Sequence, residues 1–133
     1  MKTPKLIYAA MILITVLATS CGGNKTANDK KNEEQTAVSP KERLDGKWKI
    51  VKATGEFASM NEGTLYTFEG TEKLSTKLGI IETKGKIVNI DDSTFAVLFD
   101  GMQNNSNFSY HFEGKNLILE PKNSNQIFTL EKQ

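Results

Sequence analysis

Cysteine, histidine and tryptophan each occur once in this chain of 133 residues, and proline only three times. One cysteine cannot close an intramolecular disulfide or build a multi-cysteine zinc module, so neither staple holds the fold. One histidine and one cysteine cannot supply a His/Cys metal cluster. An excess of charge is missing too: 17 Lys plus Arg face 16 Asp plus Glu, for a formal net charge of +1. That balance gives no sequence-wide case for nucleic acid as a partner. The length accommodates one domain and not two.

What is present begins with an address. Lys2 and Lys5 form a basic head, and a mostly apolar run follows from Leu6 to Ala18. Those thirteen residues reach about 20 Å as a helix, whereas a hydrocarbon core of about 30 Å needs roughly twenty residues. The run is apolar all round and a polar tract follows it, which predicts a secretory signal peptide over residues 1–20. Leu17, Ala18, Thr19, Ser20 and Cys21, then Gly22 and Gly23, resemble the bacterial lipobox, with Ala18 standing where Leu is usual. The resemblance implies that Cys21 becomes thioether-linked to diacylglycerol before cleavage. The chain would then sit in the cell envelope as an outer-membrane lipoprotein, its partner the lipid bilayer. Loss of Lys2 and Lys5 would leave 15 basic against 16 acidic side chains, net −1.

Residues 21–41 read as a tether. From Gly22 to Pro40 only Ala27, Ala37 and Val38 are hydrophobic, too little apolar surface to offset the entropy of ordering. Lys25, Lys30 and Lys31 are nearly cancelled by Asp29, Glu33 and Glu34, so no electrostatic membrane anchor is expected. Asn24 and Lys25 match poorly the acidic surface-export signal of some lipoproteins, which leaves the periplasmic and cell-surface faces both open.

Residues 42–133 form the folded part. Lys41–Leu44 suits a single helical turn, after which period two takes over. Strands are expected at 47–54, 64–69, 72–76, 80–84, 86–90, 94–99, 108–113, 117–120 and 126–131, with turns at Gly70, Gly85, 91–93, 101–107, 114–116 and 121–125. About eight short sequential strands without room for crossover helices predict an all-β, antiparallel up-and-down barrel; a β-sandwich fits the same period.

Leu44-Asp45-Gly46-Lys47-Trp48-Lys49-Ile50 resembles the Gly-x-Trp signature that opens lipocalin-like proteins. Tyr66-Thr67-Phe68-Glu69-Gly70-Thr71, Phe112–Leu119 and Phe128–Glu131 are similar to later phrases of small lipocalin-like lipoproteins of the Bacteroidota. The resemblance implies a small lipocalin-like barrel in which Trp48 packs across the closed bottom. The chain departs from full-length lipocalins in its shorter length, which leaves no room for a C-terminal helix or a roomy calyx.

Catalytic chemistry has little to build on. His111 shares a strand face with Ser109, but nothing in the sequence assembles a triad around it. Asp91, Asp92 and Asp100 stand near turns without the spacing of a calcium loop, and read as turn formers. Asp92-Ser93-Thr94 matches a short O-glycosylation motif of exported Bacteroidota proteins, so Ser93 is a candidate for modification as well as for a plain Asx-type turn.

The aromatic set is Trp48, Tyr66, Phe68, Phe95, Phe99, Phe108, Tyr110, Phe112 and Phe128. It forms either the core or the lining of a site for a small hydrophobic ligand. The expected role is non-enzymatic, the holding of such a ligand; the alternative is docking onto another envelope component through a solid barrel with no ligand. Val51, Leu65, Ala96 and Leu98, on nominally outward faces, give the alternative some support, although barrel closure could also hide them. No cofactor is implied.

Overall fold

The computed structural model describes residues 37–133. The expected signal peptide over residues 1–20, the expected acyl acceptor Cys21 and most of the expected tether lie outside the described residues. A four-residue helix α1 (Pro40–Arg43) leads into eight strands: β1 (Gly46–Thr54), β2 (Leu65–Glu69), β3 (Lys73–Leu78), β4 (Ile81–Ile90), β5 (Thr94–Phe99), β6 (Ser106–Glu113), β7 (Asn116–Pro121) and β8 (Ile127–Lys132). They hydrogen-bond in chain order, every pair antiparallel, and β8 returns to β1. The sandwich alternative is thereby excluded. The chain is an eight-stranded closed antiparallel barrel, an architecture consistent with a lipocalin-like fold in general.

Odd strands run from a near end to a far end and even strands return. The near end carries α1 and the turns 70–72, 91–93 and 114–115. The far end carries the connections 55–64, 79–80, 100–105 and 122–126. α1 follows Ser39, whose backbone N–H donates to Glu42 Oε2 while Ser39 O accepts from the N–H groups of Glu42 and Arg43. The helix is moored to the near-end turns. Lys41 N–H donates to Asp92 Oδ1 at 3.4 Å, and the Arg43 guanidinium donates to Gly114 O at 3.1 Å.

Alternation decides what lies inside. Trp48 and Ile50, Tyr66 and Phe68, Phe95, Val97 and Phe99, Phe108 and Tyr110, Leu117 and Leu119, and Phe128 and Leu130 are all buried. Eight strands enclose an interior that side chains just fill, and these fill it. A bulge between Ile50 and Lys52 shifts the β1–β8 register, so that Ala53 faces inward opposite Phe128 beyond it.

One expected turn does not exist. Gly85 lies inside β4, opposite Leu74 of β3 and Phe99 of β5, and the chain reverses at Gly79-Ile80 instead. The glycine marks close packing. A Cβ there would stand 2.6 Å from Val97 Cγ1 and 2.9 Å from both Leu98 O and Phe99 Cδ1. In a strand interior, glycine often signals such an approach rather than a reversal.

Candidate functional site

Six of the nine singled-out aromatics form one continuous stack across the barrel. Phe95 is the hub, with Phe108 stacked on it at 4.9 Å, Phe68 edge-on at 5.5 Å and Tyr110 tilted at 5.8 Å. Tyr110 continues edge-on to Phe112 at 6.1 Å, and Phe112 meets Trp48 at 5.9 Å. Tyr66, Phe99 and Phe128 are buried in the same core, and Phe112 alone of the nine is half-buried. The rings are spent on one another, and the barrel is solid.

The near end is closed by a cationic clamp. Arg43 lays its guanidinium 3.8 Å over the Phe112 ring, and Lys132 Nζ stands 5.3 Å from the Trp48 ring. Trp48 Nε1 donates to Leu44 O at 2.7 Å in a buried bond. An open cleft beside the clamp is lined by Val38, Glu42, Lys115 and the same Arg43, Trp48 and Lys132. Among the described residues no group of acids, histidines and cysteines has a metal-binding arrangement.

The turn before β5 is organised by Asp91 and not by Asp92. Asp91 Oδ1 accepts from the backbone N–H groups of Ser93 and Thr94, both at 2.7 Å, and from Ser93 Oγ at 3.0 Å. Thr94 Oγ1 donates to Asp91 Oδ2 at 2.9 Å. These donors stabilise the anion and hold its pKa down at about 2. Ser93 itself is exposed. The Tyr110 hydroxyl donates to Asp91 O at 2.6 Å, and burial with the nearby carboxylates of Asp92 and Asp91 pushes its pKa well up. His111 points outward, its Nε2 3.2 Å from Glu113 Oε1, with no nucleophile beside it in the structure's hydrogen bonds.

The polar lining of the far mouth escaped notice in the sequence. Register puts Tyr66 opposite Thr76 and Thr76 opposite Thr83, a cross-strand row of three hydroxyl side chains on inward positions. Thr64 continues the β1–β2 register beyond Leu65, its carbonyl accepting from Ile50 N–H. It is 7% exposed, and its Oγ1 has no hydrogen-bond partner. Burial pushes the Tyr66 hydroxyl up to about 12. Only the alternation of 64, 66 and 68 in the sequence could have placed the first two together.

Apolar exposure is also distributed differently from expectation. Of the four outward residues, Val51 is exposed, Leu65 and Leu98 are half-buried, and Ala96 is buried. The most exposed large apolar side chains apart from Val38 stand at the far end instead: Phe57, Met60, Ile80 and Met102 on its connections and Ile81 at the start of β4. A scan of protein-family models, a search of curated proteins and a search of solved structures each find no match to the chain.

Proposed function

We propose that the protein is a membrane-anchored envelope lipoprotein whose solid barrel acts as a non-enzymatic interaction module. The observation that carries this reading is the continuous ring stack from Phe68 through Phe95, Tyr110 and Phe112 to Trp48, which leaves the barrel centre occupied by the chain's own side chains. A filled barrel acts through its outside. The lipobox-like Leu17–Cys21 and the apolar run before it support export and acylation at Cys21. Two or three acyl chains at about 0.8 kcal/mol per buried CH₂ make an anchor that hardly leaves the membrane. The outer membrane is the proposed address, and exposed Ser93 a proposed site of O-glycosylation.

Membership of the small lipocalin-like lipoproteins is part of the same proposal, supported by Gly46-Lys47-Trp48 and by the barrel. A second reading is favoured by one observation: the hydroxyls of Thr64, Tyr66, Thr76 and Thr83 at the far mouth suit the polar head of a small hydrophobic ligand. Metabolic labelling of host cells with an alkyne fatty acid tests the anchor. The wild-type chain takes up the label and Cys21→Ser does not; a wild-type chain without label overturns it. Small molecules extracted from the purified barrel would favour the second reading.

A further inference from the structure

Of the ten exposed large apolar residues among those described, six gather at the turns of one end, Ile127 opens β8 at that same end, and Val38, Val51 and Val88 stand elsewhere. Phe57 and Met60 stand on the β1–β2 connection, Leu78, Ile80 and Ile81 at the β3–β4 hairpin, and Met102 on the β5–β6 connection. All three connections lie at the end opposite α1, where the described chain enters. Ile80 is 99% exposed and Ile81 69%. The hairpin that carries them overhangs both neighbours: β2 begins with Leu65 opposite Lys77, and β5 ends with Phe99 opposite Gly85. Residues 78–81 therefore project past the rim.

Phe57 adds a second, independent sign. It is the only non-glycine residue at positive φ among the described residues, at 56°. A left-handed conformation is costly for a bulky side chain, and here it holds an aromatic ring 71% exposed instead of buried. The chain bears backbone strain with no packing in return.

We infer that this far end inserts its tips into the surface of a lipid bilayer, the same membrane that the proposed Cys21 anchor occupies. The projecting hairpin and the length of chain before it select this occupant. Residues 78–81 extend beyond both neighbouring strands, and a projecting tip finds few contacts on a second rigid copy. A fluid bilayer needs no complementary surface. Glu56, Glu62, Glu82 and Asp100 accompany Lys77, Lys84 and Lys122 at this end, so apolar burial and not attraction to anionic head groups drives the contact. Eighteen residues separate Cys21 from Pro40, about 60 Å when extended. The ten residues of β4 span about 34 Å, less than that extended length. Tethering keeps the tips at high effective concentration near the bilayer, where weak insertion is populated.

The inference rests on the anchored-module reading, yet residues 37–133 test it without the anchor. Their strand ladder closes within 46–132 and their core within 44–130, so the barrel carries its own fold. This segment contains no cysteine, which lets Ile80→Cys carry an environment-sensitive fluorophore. With phosphatidylcholine vesicles the label is expected to shift to the blue and the protein to co-sediment, equally at low and high salt. Ile80→Asp with Ile81→Asp should lower partitioning at least about tenfold while leaving the melting temperature unchanged. Emission that stays water-like, binding confined to anionic vesicles and lost in salt, or formation of a dimer without vesicles would each overturn the inference. A failed anchor would show separately, as wild-type chain without fatty-acid label while the segment still binds vesicles.

Discussion

Trp48 donates its indole N–H to the carbonyl of Leu44 at 2.7 Å, with 3% of the one residue and none of the other open to water. Four residues apart, the two lock the incoming chain to the first strand and seal the near end. Trp48→Phe keeps most of the apolar area but leaves the buried carbonyl without its donor. The expected loss is about 1–3 kcal/mol, read by urea denaturation at constant slope.

Gly85 is a packing residue. Gly85→Ala places a methyl against Val97, Leu98 and Phe99, the nearest atom at 2.6 Å. Overpacking of this kind costs about 1–3 kcal/mol. Thermal denaturation should show the loss; an unchanged midpoint would mean that β4 and β5 are less closely apposed.

Phe57 is predicted to be a residue whose removal stabilises. Glycine adopts φ 56° without strain, and the ring it replaces buries little. Phe57→Gly should raise stability by up to about 1 kcal/mol and weaken vesicle binding together.

The tyrosines should resist alkali. Burial raises Tyr66 to about 12 and Tyr110 further still. A raised folded pKa means stability that is intact below the ordinary tyrosine value near 10 and lost as pH climbs toward the folded value. In residues 37–133, absorbance at the tyrosinate band should stay flat beyond pH 10 and then rise together with unfolding. A titration at the ordinary value in folded protein contradicts the burial.

Asp91 has the opposite sign. Its pKa is depressed to about 2 by four hydrogen bonds, the largest effect coming from the Ser93 N–H. Its contribution is complete above the ordinary aspartate value near 3.9 and disappears as pH falls toward 2. Asp91→Asn should therefore reduce the acid dependence of stability between pH 4 and pH 2.

Period two made the strands legible where inward and outward side chains differ in polarity, as along Trp48–Ile50 and Phe108–Phe112. Closure was not visible in that period. It depends on β8 pairing with β1, residues some eighty positions apart (Trp48 with Lys132, Thr54 with Ile127), for which alternation carries no signal. Gly85 misled for a physical reason: a glycine needed to make room looks like a glycine needed to turn. The near-end clamp of Arg43 on Phe112 and the hydroxyl row Tyr66–Thr76–Thr83 arise only when registers are known. The apolar tip was partly legible in Leu78-Gly79-Ile80-Ile81, where hydrophobic residues crowd a glycine. Reading Ile80 as the start of a strand assigned it to a wall, whereas it stands free at the rim.

The filled interior is tested most directly by native mass spectrometry of the protein released gently from its host membranes. A single species is predicted, the chain from Cys21 to Gln133 with its acyl groups and any sugar on Ser93, its mass equal to the sum of its covalent parts before and after unfolding. A small apolar molecule that accompanies the folded barrel and departs on denaturation would contradict it.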